Sequence, residues 1–312
     1  MVKVSKKGQK TMKAITTEIT LEELFQLCTT RLEEIFSYSL RDIPAPSLTT
    51  AMEYALLNGG KRIRPLLIYA TGYIFNAPWE NLDIPASSVE LIHTYSLIHD
   101  DLPCMDDADL RRGKPACHKV YGEGMAVLTG DAMHTLAMQI IAKHPAPLPS
   151  EKRLQMIAVL SKACGQYGMA AGQALDITLL NDKSLSEDLL ENIYRLKTGA
   201  LFSACIKLGR LASKDNDEMN QQALEKFGDD IGLAFQIQDD ILDVEASTAI
   251  LGKQQGIDAK HHKMTYPTLY DLAQAKAKVQ SLYQEALESI HYLGYKAQLL
   301  RDLIRYMLQR EK

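Results

Sequence analysis

The amino-acid sequence predicts an all-α fold. Apolar residues recur at every third or fourth position along most of the chain, which is the period of a helix that buries one face. No two neighbouring segments alternate apolar and polar residues as a pair of strands would. Hydrophobic residues make up 46% of the 312 residues and charged residues 24%, a balance typical of a globular protein.

The predicted helices follow one another from Leu21 onwards. The clearest helical segments are Leu21–Tyr38, Leu154–Leu180, Leu185–Leu211, Met219–Val244 and Tyr266–Leu293. Stretches rich in Pro, Gly, Ser or Asn mark the expected helix ends. These breaks fall at Pro44–Pro46, Ala77–Pro78, Pro85, Pro103, Pro145–Pro149, Asn181–Ser184, Ser213–Asn216 and Ala246–His262. None has the composition of an inter-domain linker, so we predict a single domain of about ten or more helices over residues 21–312.

A basic segment precedes the first helix. Five lysines lie ahead of the first acidic residue of the chain: Lys3, Lys6, Lys7, Lys10 and Lys13. We interpret residues 1–20 as a flexible, solvated extension, because no apolar run of a secretory signal follows the lysines. The formal net charge of the whole chain is −4, which leaves about −9 for the part after these lysines, and an acidic body disfavours nucleic acid as a partner.

The five cysteines bear on the compartment. They are odd in number and no two have CxxC spacing, which argues against a disulfide framework and against a zinc site. No apolar run approaches the roughly 18 residues of a membrane helix. The sequence therefore predicts a cytoplasmic protein without a membrane span.

Two aspartate-rich clusters lie within the helical pattern. In the second cluster, Asp239 and Asp243 are four residues apart, which places both carboxylates on one helix face. Asp240 lies between them, and the surrounding segment is otherwise apolar. Because like charges at this spacing repel, three aspartates in a core helix require a metal ion or a cavity beside them.

The first cluster is irregular. Asp100 and Asp106 are six residues apart, which on an unbroken helix would separate them by about 120°. Pro103 breaks that helix. If two residues loop out there, Asp106 returns to the position of an i+4 partner of Asp100, and the two clusters become equivalent.

The residues around these clusters favour magnesium and phosphate. Carboxylates without Cys at ligand spacing suit hard cations, and Mg²⁺ characteristically combines one or two carboxylates with phosphate oxygens. Arg111 and Arg112 follow the first cluster, and guanidinium groups match phosphate oxygens. The pattern predicts a metal-bridged polyphosphate.

Three further segments add donors or a helix break. Gly59–Pro65 is a glycine turn that opens a basic helix start, which suits an anion. Lys197–Gly199 interrupts an apolar helix, and a kink there would expose backbone carbonyls. Lys253 and Lys263 supply positive charge after the second cluster.

Other interpretations of these residues fail or fit poorly. A calcium loop starting at Asp107 would place Arg111 and Arg112 where an oxygen ligand and a glycine are required. Glu-x-x-His occurs at Glu90 and at Glu288, which is the spacing of a di-iron bundle, but such a site leaves the aspartate clusters unexplained. The sequence contains no Walker or dinucleotide fingerprint and no basic–aromatic interleaving for nucleic acid.

Seven motifs occur in the order and spacing of a known family. They are GGKRIRP, ELIHTYSLIHDDLPCMDDADLRRG, GDAM, GQALD, KTGALF, FQIQDDILDV and GK…KMTYP. With them the chain resembles the trans-isoprenyl diphosphate synthases, and within that family the bacterial type that forms farnesyl diphosphate. The resemblance implies the isoprenoid synthase fold, an all-α homodimer with a deep central cavity in each subunit.

The resemblance also assigns site residues by position. It implies two Mg²⁺ at Asp100 and Asp106 and a third at Asp239, with Mn²⁺ as a substitute metal. The aspartates in supporting roles are Asp101, Asp240 and Asp243. The residues expected to hold the allylic diphosphate are Arg111, Lys197 and Lys253. The residues expected to hold isopentenyl diphosphate are Gly60, Lys61, Arg64, His93 and Arg112.

The reaction that the resemblance implies is a head-to-tail condensation of prenyl diphosphates by ionisation, condensation and proton elimination. The metals and basic side chains stabilise the leaving pyrophosphate. Thr198 Oγ, the Lys197 carbonyl and the Gln236 amide resemble the cation-stabilising groups of the family. Pyrophosphate is the expected base, so no Ser/His/Asp or Cys/His pair is needed.

Tyr95 is the residue expected to limit product length. It lies five residues before Asp100, with Ser96 beside it, and an aromatic ring there would block chain growth. Together with the Pro103-Cys104 insertion it resembles the C15 type, which uses dimethylallyl and then geranyl diphosphate. The alternatives are a geranylgeranyl diphosphate synthase, a non-catalytic regulatory subunit, which should have degraded aspartate motifs, and a terpene cyclase, which lacks GGKRIRP.

Overall fold

The structure is a computed structural model that describes residues 19–179, 185–245 and 264–309. Its α-helices are α1 (Leu21–Ser39), α2 (Pro46–Leu56), α3 (Ile63–Ile74), α4 (Trp79–Asp100), α5 (Cys117–Tyr121), α6 (Glu123–Lys143), α7 (Ser150–Cys164), α8 (Met169–Thr178), α9 (Glu187–Tyr194), α10 (Ala200–Leu211), α11 (Glu218–Glu245), α12 (Tyr266–Leu269), α13 (Leu272–Ser289) and α14 (Gln298–Leu308). The prediction of an all-α fold with ten or more helices is confirmed.

Three short elements interrupt the helices. A π-helical turn, Arg195–Gly199, joins α9 to α10, and a 3₁₀ segment, His291–Ala297, precedes α14. Strands β1 (Leu110–Arg111) and β2 (Lys114–Pro115) pair antiparallel. This hairpin was not predicted from the sequence, because two-residue strands are too short to show alternation.

The hairpin loop is built for a tight reversal. Arg112 and Gly113 have φ of 54° and 77°, and positive φ at both loop residues is typical of a type I′ turn. The turn places Arg111 on a strand and Arg112 in the loop, so the two consecutive guanidinium groups reach different partners.

Pro85 was predicted to end a helix, but it lies inside α4. Proline costs the helix one hydrogen bond. Its neighbours Leu82, Ile84 and Ala86 are completely buried, so packing on several sides of α4 outweighs that loss.

Two predicted helices are divided in the structure. The segment Leu154–Leu180 separates into α7 and α8, and the close turn between them requires a glycine at position 168, where a Cβ would lie 2.1 Å from the Ala163 carbonyl oxygen. The segment Tyr266–Leu293 separates into α12 and α13, where Asp271 and Gln274 form a capping box that starts a new helix.

The two helices that carry the aspartate clusters lie in the core. Helix α4 packs against α6 and α3, and α11 packs against α13 and α10. The hydroxyl of Ser88 on α4 donates to the Ala137 carbonyl on α6 at 2.9 Å, which adds a buried hydrogen bond to the contact between these two helices. This packing fixes the ends of α4 and α11, where the clusters lie.

Two glycines let neighbouring helices approach the π turn closely. A Cβ at Gly172 on α8 would lie 2.2 Å from the backbone nitrogen of Lys197. A Cβ at Gly232 on α11 would lie 2.6 Å from the Cα of Gly199. Any larger residue at either position would push a helix away from the turn.

The first described helix begins where the sequence predicted it. Thr20 and Glu23 form a capping box ahead of Leu21. The predicted basic extension over residues 1–20 lies outside the described residues, apart from Ile19 and Thr20, and its boundary stays a prediction.

Candidate active site

The backbone of the first cluster loops out as the sequence predicted. Helix α4 ends at Asp100, and the Asp106 N–H donates to the Asp100 carbonyl at 2.9 Å. In a regular helix this acceptor would bond to the residue four positions on, so two extra residues are accommodated before Asp106. The Met105 N–H closes the intervening turn on the Leu102 carbonyl at 2.9 Å. Asp106 thus returns to the end of α4.

The Asp101 carboxylate forms a salt bridge with an arginine. It is 2% exposed and accepts hydrogen bonds from Nε of Arg111 at 3.1 Å and from the adjacent guanidinium nitrogen. Burial raises the pKa of Asp101, and the charge of Arg111 opposes that shift. This geometry favours Asp101 as the residue that orients Arg111, in line with the supporting role implied for it.

Asp100 combines burial with a crowded charge environment. Burial raises the pKa of Asp100 to about 6, and the charges of Asp106 and Asp101 act in the same direction. Lys197 and Arg111 act against it. The positive charge of Lys197 thus couples the π turn electrostatically to the end of α4.

These carboxylates fit a divalent cation whose coordination is completed by substrate. Within the described ranges, no three Asp, Glu, His or Cys side chains converge closely enough to enclose a metal ion. Mg²⁺ characteristically takes only one or two carboxylates and completes its shell with water and phosphate oxygens. A cation beside Asp100 and Asp106 would relieve the repulsion that burial enforces.

The second cluster lies on α11 as a regular helix, with unequal members. Asp239 is partly exposed, whereas Asp240 and Asp243 are 4% and 5% exposed. Asp240 accepts hydrogen bonds from the Tyr194 hydroxyl, from the Tyr266 N–H at 3.2 Å and from the Gln236 amide at 3.2 Å. Asp240 therefore ties α9 and α12 to α11, which is a structural task within the site.

The π turn confirms the predicted break at Lys197–Gly199 and directs two side chains. Lys197 Nζ lies 2.7 Å from an oxygen of Asp176 on α8. The Thr198 hydroxyl donates to the Gln236 side-chain oxygen at 2.6 Å, and Gln236 in turn donates to Asp240. Because the Thr198 proton is engaged by Gln236, the lone pairs of its oxygen remain available to a positive charge.

The glycine turn before α3 holds the loop arginine. Gly59 and Gly60 have φ of 73° and 119°, and Arg62 has φ of 49°. The guanidinium of Arg112 donates to the Gly59 carbonyl at 2.6 Å, and a Cβ at Gly60 would lie 2.8 Å from Arg112 Cζ. Lys61 is partly exposed at the same turn. The turn and the β-hairpin thus form one basic surface.

His93 joins this basic surface from α4. A guanidinium nitrogen of Arg64 lies 3.4 Å from His93 Nε2, and the Arg64 guanidinium also lies over the Phe202 ring at 4.9 Å. Burial lowers the pKa of His93 well below its usual range, and the arginine charges add to the shift. A neutral imidazole is compatible with the dense cluster of guanidinium groups around it.

Tyr95 is held between two imidazoles. Its ring centroid lies 5.7 Å from that of His99 on α4 and 5.2 Å from that of His134 on α6, both edge to face. A Cβ at Gly130 would lie 2.1 Å from His99 Nε2, so this glycine makes room for His99. The Ser96 hydroxyl donates back to the His93 carbonyl at 2.9 Å. Tyr95 is therefore a fixed ring one turn before Asp100.

Several residues of this site were not selected from the sequence. Asp176, Tyr194 and His134 contact predicted site residues, but they lie 21, 46 and 39 positions from those partners. Two of them could have been found from the family motifs. The motif GQALD ends at Asp176, and the motif GDAM directly precedes His134. Lys253, predicted to bind the allylic diphosphate, lies outside the described residues.

Comparisons with known proteins identify the family of this chain. The profile of the polyprenyl synthetase family matches residues 45–298. The chain is 44% identical over 293 residues to a protein named farnesyl diphosphate synthase from Escherichia coli, covering 92% of this chain and 98% of that one.

Two solved structures share the fold. A geranyltransferase from Legionella pneumophila superposes with a TM-score of 0.83 at 38% identity, over 93% of this chain and 96% of that one. A geranyltransferase from Helicobacter pylori, complexed with magnesium and isoprenyl diphosphate, superposes with a TM-score of 0.79 at 34% identity, over 91% and 96% of the two chains. The chain belongs to the polyprenyl synthetase family.

Proposed function

We propose that this chain is a farnesyl diphosphate synthase, which condenses isopentenyl diphosphate head to tail with dimethylallyl diphosphate and then with geranyl diphosphate. The observation that carries the proposal is the π turn, which holds Lys197 against Asp176 and Thr198 against Gln236. One turn thus offers a cation for a leaving group and neutral dipoles for a carbocation. The named relative from Escherichia coli supports the same activity.

Divalent metal would be held by the carboxylates that end α4 and line α11. Asp100 and Asp106 would hold two Mg²⁺ and Asp239 a third, with Asp243 and Asp240 beside it and Mn²⁺ as a substitute. When bound, the metal supplies Lewis-acid stabilisation of negative charge on the diphosphate. Magnesium in the related structure from Helicobacter pylori supports this choice of ion.

The allylic diphosphate would be bound by Arg111 and Lys197, with Lys253 as a further proposed contact. Each of the first two is already oriented by a carboxylate, Arg111 by Asp101 and Lys197 by Asp176. Side chains fixed in this way lose less freedom when the substrate binds. As the allylic C–O bond breaks, its electron pair leaves with pyrophosphate, and these cations stabilise the charge that develops.

Isopentenyl diphosphate would occupy the basic surface formed by the glycine turn, α3 and the β-hairpin. The proposed contacts are Gly60, Lys61, Arg64, His93 and Arg112. The surface presents fixed guanidinium groups around a neutral imidazole, which suits a dianionic headgroup.

The carbocation would be stabilised by dipoles rather than captured by a nucleophile. The Thr198 oxygen, the Lys197 carbonyl and the Gln236 amide provide such dipoles at the π turn. The isopentenyl double bond attacks the allylic carbon and forms the new C–C bond. A proton then leaves the adjacent carbon for the released pyrophosphate, which restores a double bond.

Product length is the point on which farnesyl and geranylgeranyl synthases differ. The ring of Tyr95, packed between His99 and His134, supports a C15 product because it lies one turn before the proposed metal site and cannot swing without displacing an imidazole. The geranylgeranyl synthase is the second candidate.

We also propose a homodimer through α5 and α6. The side chains of Val120, Val127 and Leu128 are 46%, 40% and 57% exposed, although large and apolar. In the described part of the chain, α6 is also the one helix long and apolar enough to cross a membrane by length and composition, and 39% of its most apolar stretch is buried. Burial against a second copy would account for this apolar face.

Cytoplasmic localisation stays a prediction of the sequence.

Product analysis tests the activity and the chain length together. The purified protein is incubated with Mg²⁺, isopentenyl diphosphate and either dimethylallyl or geranyl diphosphate, and the products are separated by mass. Farnesyl diphosphate is expected from both primers. Accumulation of geranylgeranyl diphosphate would favour the second candidate, absence of turnover would favour a regulatory subunit, and a cyclic hydrocarbon from the allylic substrate alone would indicate a terpene cyclase.

A further inference from the structure

Glu90 is a buried carboxylate on α4, one turn before His93, and it lies beneath the basic surface formed by the glycine turn and the β-hairpin. Its side chain is about as buried as the apolar core, with 1% of the residue exposed. We propose that Glu90 is a positioning residue for isopentenyl diphosphate, acting through Arg62 and Arg112. This inference rests on the proposed function and adds a residue to its substrate site.

Arg62 links Glu90 to the glycine turn. Its guanidinium donates to a Glu90 carboxylate oxygen and, at 2.6 Å, to the Leu56 carbonyl at the end of α2. Arg62 is 7% exposed and has a left-handed backbone, so its side chain lies inside the protein, whereas the preceding Lys61 is partly exposed. The pair thus anchors the glycine turn, whose two glycines would otherwise be free to adopt other conformations.

Arg112, one of the proposed substrate contacts, also lies near Glu90. A guanidinium nitrogen of Arg112 lies 4.0 Å from the same Glu90 oxygen that Arg62 contacts. On its other side the guanidinium is held by the Gly59 carbonyl. Glu90 therefore acts on both parts of the surface: it accepts a hydrogen bond from Arg62 in the turn and attracts the charge of Arg112 in the hairpin.

The charge balance explains why a carboxylate is needed there. Burial lowers the pKa of Arg112, and the charges of Arg62, Arg111 and Arg64 act in the same direction, while Glu90 opposes them. Without a carboxylate beneath them, the crowded guanidinium groups would repel one another and separate. Glu90 keeps them together while their outer faces remain available to a diphosphate.

A positioning role and a purely electrostatic role of Glu90 predict opposite effects of the Glu90→Gln substitution. If Glu90 mattered only as a negative charge near the substrate, its removal would strengthen binding of an anion. If Glu90 positions the arginines, its removal weakens binding of isopentenyl diphosphate and spares the allylic substrate. We expect KM for isopentenyl diphosphate to rise about tenfold or more, with KM for geranyl diphosphate changed less than about twofold.

Asp83 provides a matched control on the same helix. It is a buried carboxylate, 6% exposed, which binds Arg31 through contacts of 2.7 and 2.5 Å and accepts the Tyr69 hydroxyl at 2.5 Å. It lies two turns before Glu90. Asp83→Asn should lower Tm, as Glu90→Gln should, but leave both KM values unchanged. Loss of stability alone therefore cannot imitate the expected separation of the two KM values.

Two further measurements protect the test from low expression or low turnover. Glu90→Asp keeps the charge and shortens the side chain by one methylene, so it should fold more readily and show the same separation of KM values to a smaller extent. Calorimetric titration with isopentenyl diphosphate alone gives a dissociation constant without turnover, and the constant for Glu90→Gln should rise in parallel with KM.

The outcomes separate this inference from the proposed function. An unchanged or lowered KM for isopentenyl diphosphate in both Glu90 variants would overturn the positioning role, and so would an equal rise in both KM values. Farnesyl diphosphate formation by the unsubstituted protein tests the function independently. In an Arg112→Gln background, Glu90→Gln should add less to the rise in KM than it does alone, because one of the two arginines through which it acts is already gone.

Discussion

The hydroxyl of Thr198 lies 2.6 Å from the side-chain oxygen of Gln236, and this hydrogen bond joins the π turn to α11. Gln236 then donates to Asp240, which is itself held by the Tyr194 hydroxyl and the Tyr266 N–H. The orientation of Thr198 is therefore set by a chain of buried polar groups. Such a chain fixes dipoles before the substrate arrives, which is the arrangement that a carbocation reaction requires.

Replacing Thr198 by Val should lower kcat by about 10- to 100-fold with little change in either KM. The substitution keeps the shape of the side chain and removes the oxygen that would face the developing positive charge. Steady-state kinetics with geranyl and isopentenyl diphosphates measures the effect. Thr198→Ser retains the hydroxyl and should keep most of the activity, so an equal loss in both variants would argue against a role for the dipole.

Replacing Asp239 by Ala should lower turnover by several orders of magnitude, because this carboxylate is the proposed ligand of a metal that the reaction needs. The far-ultraviolet circular dichroism spectrum should be unchanged, since Asp239 is partly exposed. Asp188→Asn, an exposed acid on α9, is the control and should retain full activity. Near-normal turnover of the Asp239 variant would contradict the metal assignment.

The two aspartate clusters show how far the sequence alone could lead. The spacing of Asp100 and Asp106 around Pro103 was enough to predict a loop of two extra residues, and the bond from the Asp106 N–H to the Asp100 carbonyl confirms it. The break at Lys197–Gly199 was also predicted, as a kink, and takes the form of a π turn. Both features are local, so residue order determines them.

The contacts that were missed are long-range. Periodicity tells which face of a helix is buried, but not which neighbouring helix that face meets. Tyr194 and Asp240, or Lys197 and Asp176, meet only because glycines let α8 and α11 approach the π turn. The pairing of Glu90 with Arg62 depends on a positive φ at Arg62, which helix and strand propensities do not encode.

Replacing Tyr95 by Ala should lengthen the product. The ring fills the space between His99 and His134, and its removal opens a volume into which the growing chain can extend. Products of the variant, separated by mass after incubation with excess isopentenyl diphosphate, should include geranylgeranyl diphosphate or longer chains. Tyr95→Phe keeps the ring and should still form farnesyl diphosphate. An unchanged C15 product from Tyr95→Ala would show that another residue closes the site.

His93 should make stability depend on pH below about 6.5. Burial lowers its pKa well below the usual range, and the charges of Arg64, Arg112, Arg111 and Arg62 add to the shift, so the folded protein keeps the imidazole neutral. The unfolded chain takes up a proton near pH 6.5. Below that pH the unfolded state binds more protons, and the free energy of unfolding falls by at most about 1.4 kcal/mol per pH unit from this residue.

Urea denaturation at pH 7.5 and pH 5.5 measures this contribution. The difference in the free energy of unfolding between the two pH values should be smaller in His93→Gln than in the unsubstituted protein, since the variant has no imidazole to protonate at that position. His291→Gln removes an exposed histidine and should leave the difference unchanged. If both variants retain the full pH dependence, other groups are responsible for it, and His93 is not held neutral by its surroundings.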